Sequence, residues 1–229
     1  MDEKKYPFLN QIEDAEKNFL GGKRSRHEEL ESAVRFFLEF LRGFESLDFE
    51  GPCVTVFGSA RFPEGHVYYE QARALGRRLA EEGYVVMTGG GPGIMEAANR
   101  GAKEGGGLSL GCNIKLPSEQ QPNPYLDDFV ELEYFFVRKV ILVKYSCAFV
   151  VMPGGFGTLD ETFEVLTLVQ TGKLENFPIV SMGENFWSHL RTFVENSLVA
   201  EQTIAPEDLD LIHSTDDVEE ALRIIRGHR

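Results

Sequence analysis

The sequence of 229 residues is poor in cysteine, in cations and in histidine, and each shortage removes a class of function. Its three cysteines, Cys53, Cys112 and Cys147, each sit in or beside an apolar run, with no CxxC pair and no Cys/His cluster. That is the pattern of buried thiols in a reducing compartment, and it offers no metal site. Lysine and arginine number 23 against 37 acids, a formal net charge of −14. A nucleic-acid partner, which needs clustered cations, is therefore not expected, although a single small phosphate needs only a few local donors. No apolar run approaches the roughly 20 residues of a membrane span. The segment from Asp2 to Lys5 is charged, so the expectation is a cytoplasmic protein without a membrane partner. The histidines, His27, His66, His189, His213 and His228, are scattered, and none stands at a glycine turn. A Ser–His nucleophile pair is a poor reading for that reason.

Two phosphate signatures are also missing. No glycine run fits GxGxxG with an acid about twenty residues on, which argues against a dinucleotide cofactor. No GxxxxGK[ST] occurs, which argues against triphosphate hydrolysis.

What is present is organised around Cys147 to Glu161, CAFVVMPGGFGTLDE. Its apolar opening reads as a central parallel strand, and Pro153 stops the ladder because it has no N–H to donate. Gly154, Gly155 and Gly157 remove the Cβ atoms that would keep a ligand from the backbone. Thr158 is expected to cap a helix whose first turn holds Asp160 and Glu161 and whose apolar face is Phe163, Leu166 and Val169. Such a turn aims N–H groups and a positive dipole end at one spot, which suits a phosphate. Glu161 would repel a phosphate and fits a sugar or a water beside it.

Similar strand–turn–helix units recur along the chain. Residues 1–26 are polar, with Gly21-Gly22 and a basic patch from Lys23 to Arg26, and read as a partly ordered lead-in. From His27 to about Ser46 the period is helical, with one stripe of Leu30, Val34, Phe37, Leu38 and Leu41 and a second of Phe36, Phe40 and Phe44. One stripe can dock on the chain's own sheet; the second suits either a subunit partner or a wider core contact. Strands are predicted at Cys53–Phe57, Tyr84–Thr88, Leu108–Ile114, Asp128–Phe136, Phe177–Met182 and Leu209–Ser214. Helices are predicted at Tyr68–Glu82, Ile94–Glu104, Val137–Ser146, Asn185–Val199 and Asp216–Ile225. The stretch from Pro117 to Asp128 reads as a long surface loop. This alternation means an α/β, doubly wound parallel sheet of Rossmann-like type. An N-terminal helical extension (1–50) is expected to precede a nucleotide-binding catalytic domain (51–229) with no internal boundary.

Three strand ends carry turn chemistry: Gly58-Ser59, Gly89 to Gly93, and Gly154 to Thr158. A lone glycine run is a tight turn, but three meeting at the carboxyl ends of strands point to a nucleotide site. Glycines without a P-loop lysine suit a monophosphate. Arg138 and Lys139 read either as surface charges or, after the aromatic run Tyr134–Phe136, as groups held at a buried helix start. Glu161 reads either as a solvated helix acid or as a working carboxylate. An acid and an arginine beside a sugar phosphate are the parts needed for N-glycosidic cleavage through an oxocarbenium-like transition state. The alternative is a nucleotide-sensing protein that binds without cleaving.

PGGFGTLDE (153–161) matches the PGGxGTxxE motif of the LONELY GUY (LOG) family. Phe136-Val137-Arg138-Lys139 looks like that family's arginine–lysine element, and TGGGPGIMEAAN (88–99) resembles its glycine-rich phosphate loop. The resemblance runs from about Val54 to Trp187. It implies a cytokinin riboside 5′-monophosphate phosphoribohydrolase, or a broader nucleoside 5′-monophosphate glycosidase, working without metal or organic cofactor. It makes Arg138 and Glu161 the catalytic pair. Ser59, Arg61, Gly90, Gly91, Gly93, Lys139, Gly154, Gly155, Gly157 and Thr158 become substrate contacts. It also implies a homodimer or larger homo-oligomer. Members often carry the label "lysine decarboxylase", but that chemistry needs a Schiff-base lysine, and nothing singles one out.

Overall fold

Pro52 ends a polar connection, and β1 (Cys53–Phe57) follows with all five residues buried, as a strand covered on both faces requires. The computed structural model describes residues 15–116 and 121–227. The first part of the predicted lead-in and residues 117–120 of the predicted loop lie outside these ranges. The other strands are β2 (Val85–Thr88), β3 (Ser109–Ile114), β4 (Asp128–Leu132), β5 (Ala148–Val151), β6 (Ile179–Ser181) and β7 (Ile212–Ser214). All pair in parallel in the order β4-β3-β2-β1-β5-β6-β7. The chain winds outward from β1 through β4, then returns to β5 on the other side of β1. The switch point therefore lies between β1 and β5, where Phe57 is in register with Val151.

Helices cover both faces. Here α3 (Val67–Glu81), α4 (Ile94–Glu104) and α8 (Val218–Arg226) bury Tyr69, Leu75, Leu79, Ile94 and Leu222 on one side. On the other lie α1 (Ala15–Leu20), α2 (Arg26–Ser46), α5 (Phe135–Tyr145) and α6 (Phe156–Gln170), with Leu47, Val137, Ile141, Leu142 and Val165 in the core. The doubly wound parallel sheet is thus as predicted, and no helix of the described residues is long and apolar enough to cross a membrane.

Some local expectations need correction. Strand β4 ends at Leu132, and α5 starts at Phe135 rather than after Phe136. Helix α6 is capped at Gly155, not Thr158, so Glu161 stands in its second turn. Its fully buried positions are Thr158, Glu161, Thr162 and Val165. Leu166 and Val169 are only partly buried, and Phe163 is exposed. The predicted helix 185–199 is α7 (Glu184–Phe193) followed by a π-helical segment, Val194–Val199. In α2 it is Phe36 and Phe40 that dock on the core. Leu30, Val34, Phe37 and Leu41 stay exposed.

Candidate active site

The three glycine turns are laced together by backbone hydrogen bonds. The Ser59 N–H donates to the Pro153 carbonyl at 3.0 Å, joining the turns after β1 and β5. The Ile94 N–H donates to the Ser59 carbonyl at 3.0 Å, joining the first to the start of α4. At Gly93, φ is +71°, and a Cβ there would lie 2.4 Å from the Ser59 carbonyl oxygen, so only glycine lets the two chains meet. Above this seam opens a cavity of about 590 Å³ at the switch point. Its size and position are those of a small-ligand site in an open α/β sheet. A smaller cavity of about 240 Å³ lies between α6 and α7, lined mainly by apolar side chains such as Leu166, Trp187 and Leu198.

Arg138 and Glu161 meet at the wall of the larger cavity. Arg138 projects from the first turns of α5 and is 8% exposed; Glu161 projects from α6 and is 9% exposed. Side chains on a helix lean toward its N-terminus, so a second-turn acid reaches back to the glycine turn. The Arg138 Nη1 donates to Glu161 Oε1 at 3.1 Å, and its Nε donates to the Cys112 carbonyl at 2.8 Å. A Cβ at Gly89 would lie 2.4 Å from Arg138 Nη2, so that glycine makes room for the guanidinium. Burial pushes the Glu161 carboxyl above its ordinary range, opposed by the adjacent Arg138 cation. An acid in such a setting is a functional candidate on physical grounds.

The remaining predicted contacts divide into groups. Ser59, Arg61, Gly91, Gly155, Gly157 and Thr158 line the cavity with the Arg138–Glu161 pair. A Cβ at Gly155 or Gly157 would meet nothing within 4 Å among the described residues, so both backbones are open to a ligand. Gly90 and Gly93 shape the wall from behind, and the Gly154 backbone packs on Thr158, whose Oγ1 would lie 2.1 Å from an added Cβ. Lys139 does not line the cavity. It pairs instead with Asp160 at 3.3 Å and Glu164 at 3.0 Å on the neighbouring helix α6.

Other polar residues of the site were not among the predicted contacts. Asn99, fully buried, accepts from Thr88 Oγ1 at 2.6 Å and from Asn123 Nδ2 at 3.0 Å, and donates to Ser109 Oγ at 2.8 Å. Asn123 in turn donates from its backbone to the Gly90 carbonyl and from Nδ2 to the Gly91 carbonyl. This network holds the glycine loop after β2. Asn113, at the end of β3, lines the cavity, and its buried Oδ1 faces Gly90 with no hydrogen-bond partner among the described residues. The cavity lining includes no lysine among the described residues.

Fold and site together define an open parallel α/β protein with a small-ligand crevice at its switch point. A family model described as "Possible lysine decarboxylase" matches residues 95–225. A cytokinin riboside 5′-monophosphate phosphoribohydrolase of Rhodococcoides fascians is 31% identical over 76% of this chain and 89% of its own length. One of Mycobacterium tuberculosis is 30% identical over 77% and 95%. The chain belongs to this family, that of the LONELY GUY proteins. A solved molybdenum cofactor binding protein of Rippkaea orientalis, 23% identical over 79% of this chain and 98% of its own, superposes with a TM-score of 0.58 and shares the fold.

Proposed function

We propose that the protein hydrolyses the N-glycosidic bond of adenine-type nucleoside 5′-monophosphates, N6-substituted ones included, releasing the free base and ribose 5-phosphate. The observation that carries this reading is the buried Arg138–Glu161 pair at the wall of a crevice whose floor is open glycine backbone. The names of the relatives support it.

In this reading the phosphate sits on the N–H groups at the start of α6, where Gly155 and Gly157 allow close approach. The ribose then lies beside Glu161. As the bond from C1′ to the base breaks, the base leaves with the bonding pair and takes up a proton from solvent. Positive charge develops on the ribose ring and is met by the Glu161 carboxylate. Water adds to C1′ from the side of Glu161, which takes its proton. Arg138 keeps Glu161 ionised against its burial and fixes it with the Cys112 carbonyl as anchor. Met95, Ile114, Leu116 and Phe135 line the cavity and offer an apolar seat for the base.

A lysine decarboxylase is not supported, because no lysine lines the cavity among the described residues to form a Schiff base. Incubation with a panel of monophosphates, resolved by chromatography, tests the proposal. Free adenine and ribose 5-phosphate from AMP, lost in Glu161→Gln and Arg138→Ala with the fold retained, is the expected result. Binding without cleavage would replace the enzyme with a nucleotide sensor. Wild-type rates in both variants would sink the site assignment.

A further inference from the structure

Arg138 stands one turn inside α5, a helix that lacks its own means of starting. Its N-cap residue, Tyr134, gives no side-chain cap, and no acid occupies its first turn. Backbone N–H groups of three consecutive residues at this helix start are instead taken by carboxylates from the N-terminal helices. Glu39 of α2 accepts from Glu133 and, at 3.3 Å, from Tyr134. Glu16 of α1 accepts from Phe135 at 3.0 Å. Glu39 is buried between Phe36 and Phe40, which pack on the core, and the Phe36 ring stands edge-on to Tyr134 and Phe136 at 4.7 and 4.9 Å. One turn further, Gly43 lets α2 approach α5: a Cβ there would lie 2.9 Å from Ile141 Cδ1. A helix that only covered a sheet would place an apolar residue at position 39, since burying an acid is costly unless it meets donors. The donors it meets are the N–H groups of the N-cap residue and the residue before it, where the chain enters the helix that carries Arg138.

We propose that Glu39, with Glu16, is a positioning residue of the active site: it fixes the first turn of α5 and so the reach of Arg138 to Glu161 and the Cys112 carbonyl. This rests on Arg138 and Glu161 being the working pair. Burial and the neighbouring Glu133 push the Glu39 carboxyl up to about 7, while the two N–H groups and Arg42 of α2 oppose the rise. Glu133 itself faces Lys115, Arg35, Arg42 and Glu131, and the Tyr134 phenol is pushed up to about 12. With the carboxyl ionised both Glu39 oxygens accept; once it is protonated one becomes a hydroxyl, and one of the two bonds is lost.

Glu39→Gln keeps the volume and one acceptor. The expected result is a kcat on AMP about tenfold lower with KM within about twofold, the split expected when alignment rather than ground-state binding is lost. Any part of the wild-type pH–rate profile that follows the Glu39 carboxyl, raised by burial, is expected to disappear in the variant. A readout independent of turnover is the 15N resonance of the Arg138 Nε–H, assigned with Arg138→Lys. Its hydrogen bond to the Cys112 carbonyl is expected to slow its exchange in the wild type, and the signal is expected to broaden in Glu39→Gln. Unchanged kcat with an unchanged Nε–H signal overturns the proposal, as does a kcat loss that merely tracks the folded fraction by circular dichroism. Should Glu39→Gln fail to fold, Glu16→Gln, which removes a single bond, is read in the same way. If the wild type cleaves no monophosphate while the Nε–H signal still answers to Glu39→Gln, the functional reading falls and the positioning role stands.

Discussion

Truncating Arg138 to alanine leaves the Glu161 carboxylate buried without its cation. Removing one partner of a buried ion pair costs about 3–5 kcal/mol, because the other charge stays behind uncompensated. Glu161 borders an open cavity, so water can reach part of it, and the lower end, about 3 kcal/mol, is expected. At roughly 2–4 °C per kcal/mol for a chain of this size, the melting temperature falls by about 6–12 °C. Glu161→Gln alone is milder, since the guanidinium keeps the Cys112 carbonyl. The double variant Arg138→Ala/Glu161→Gln is more stable than the sum of the singles, with a coupling of about 1–3 kcal/mol. The sign with pH follows from Glu161, whose carboxyl is raised in the fold. Its charged form is the disfavoured one, so the penalty of Arg138→Ala is full above the folded pKa and fades as pH falls toward the ordinary carboxylate range. Urea unfolding followed by circular dichroism at pH 8 and pH 5 measures all of this. A loss within 0.5 kcal/mol of zero, on the order of ordinary surface substitutions, would refute the reasoning, as would strict additivity in the double variant.

Further outcomes follow from the same geometry. If the reaction uses the Glu161 carboxylate, the acid limb of kcat/KM for AMP has its midpoint above 4.5, the ordinary value; a limb at or below it would count against that role. Gly157→Ala adds a methyl where nothing lies within 4 Å and sits in the first turn of α6. It stabilises the fold by about 0.5–1 kcal/mol while obstructing the phosphate, so Tm rises as KM rises about tenfold, a free-energy difference near 1.4 kcal/mol. Gly90→Ala does the opposite. With φ at +73° and a Cβ 1.7 Å from Asn113 Oδ1, it destabilises the folded protein in a thermal melt. Asn99→Ala strips the buried partners of Thr88, Ser109 and Asn123 and costs about 3 kcal/mol by urea titration.

The strands and the crevice were legible because central parallel strands are written as unbroken apolar runs and their ends as glycines. The pairing of Arg138 with Glu161 was legible only through the resemblance of the motifs that carry them; nothing in their spacing brings α5 to α6. Lys139 shows where motif reading stops. Adjacent helical residues point about 100° apart, so when Arg138 faces the cavity its neighbour does not. Asn113 and Asn123 left no mark because a single amide among small or apolar residues has no period, and Asn99, at the end of the quoted glycine-loop stretch, was given no role there. Glu39 did leave one, an acid between Phe36 and Phe40 on a stripe that docks, but its donors come from an element nearly a hundred residues away.

The hydrogen bonds that stitch Ser59 to Pro153 and to Ile94 make the floor of the crevice behave as one body. A mould already set before its guest arrives has little ordering left to do, so occupancy should harden the surroundings only slightly. Deuterium uptake at Ser59 and Ile94 would then be as slow in the empty protein as in the central strands, and would drop together only when the whole sheet opens.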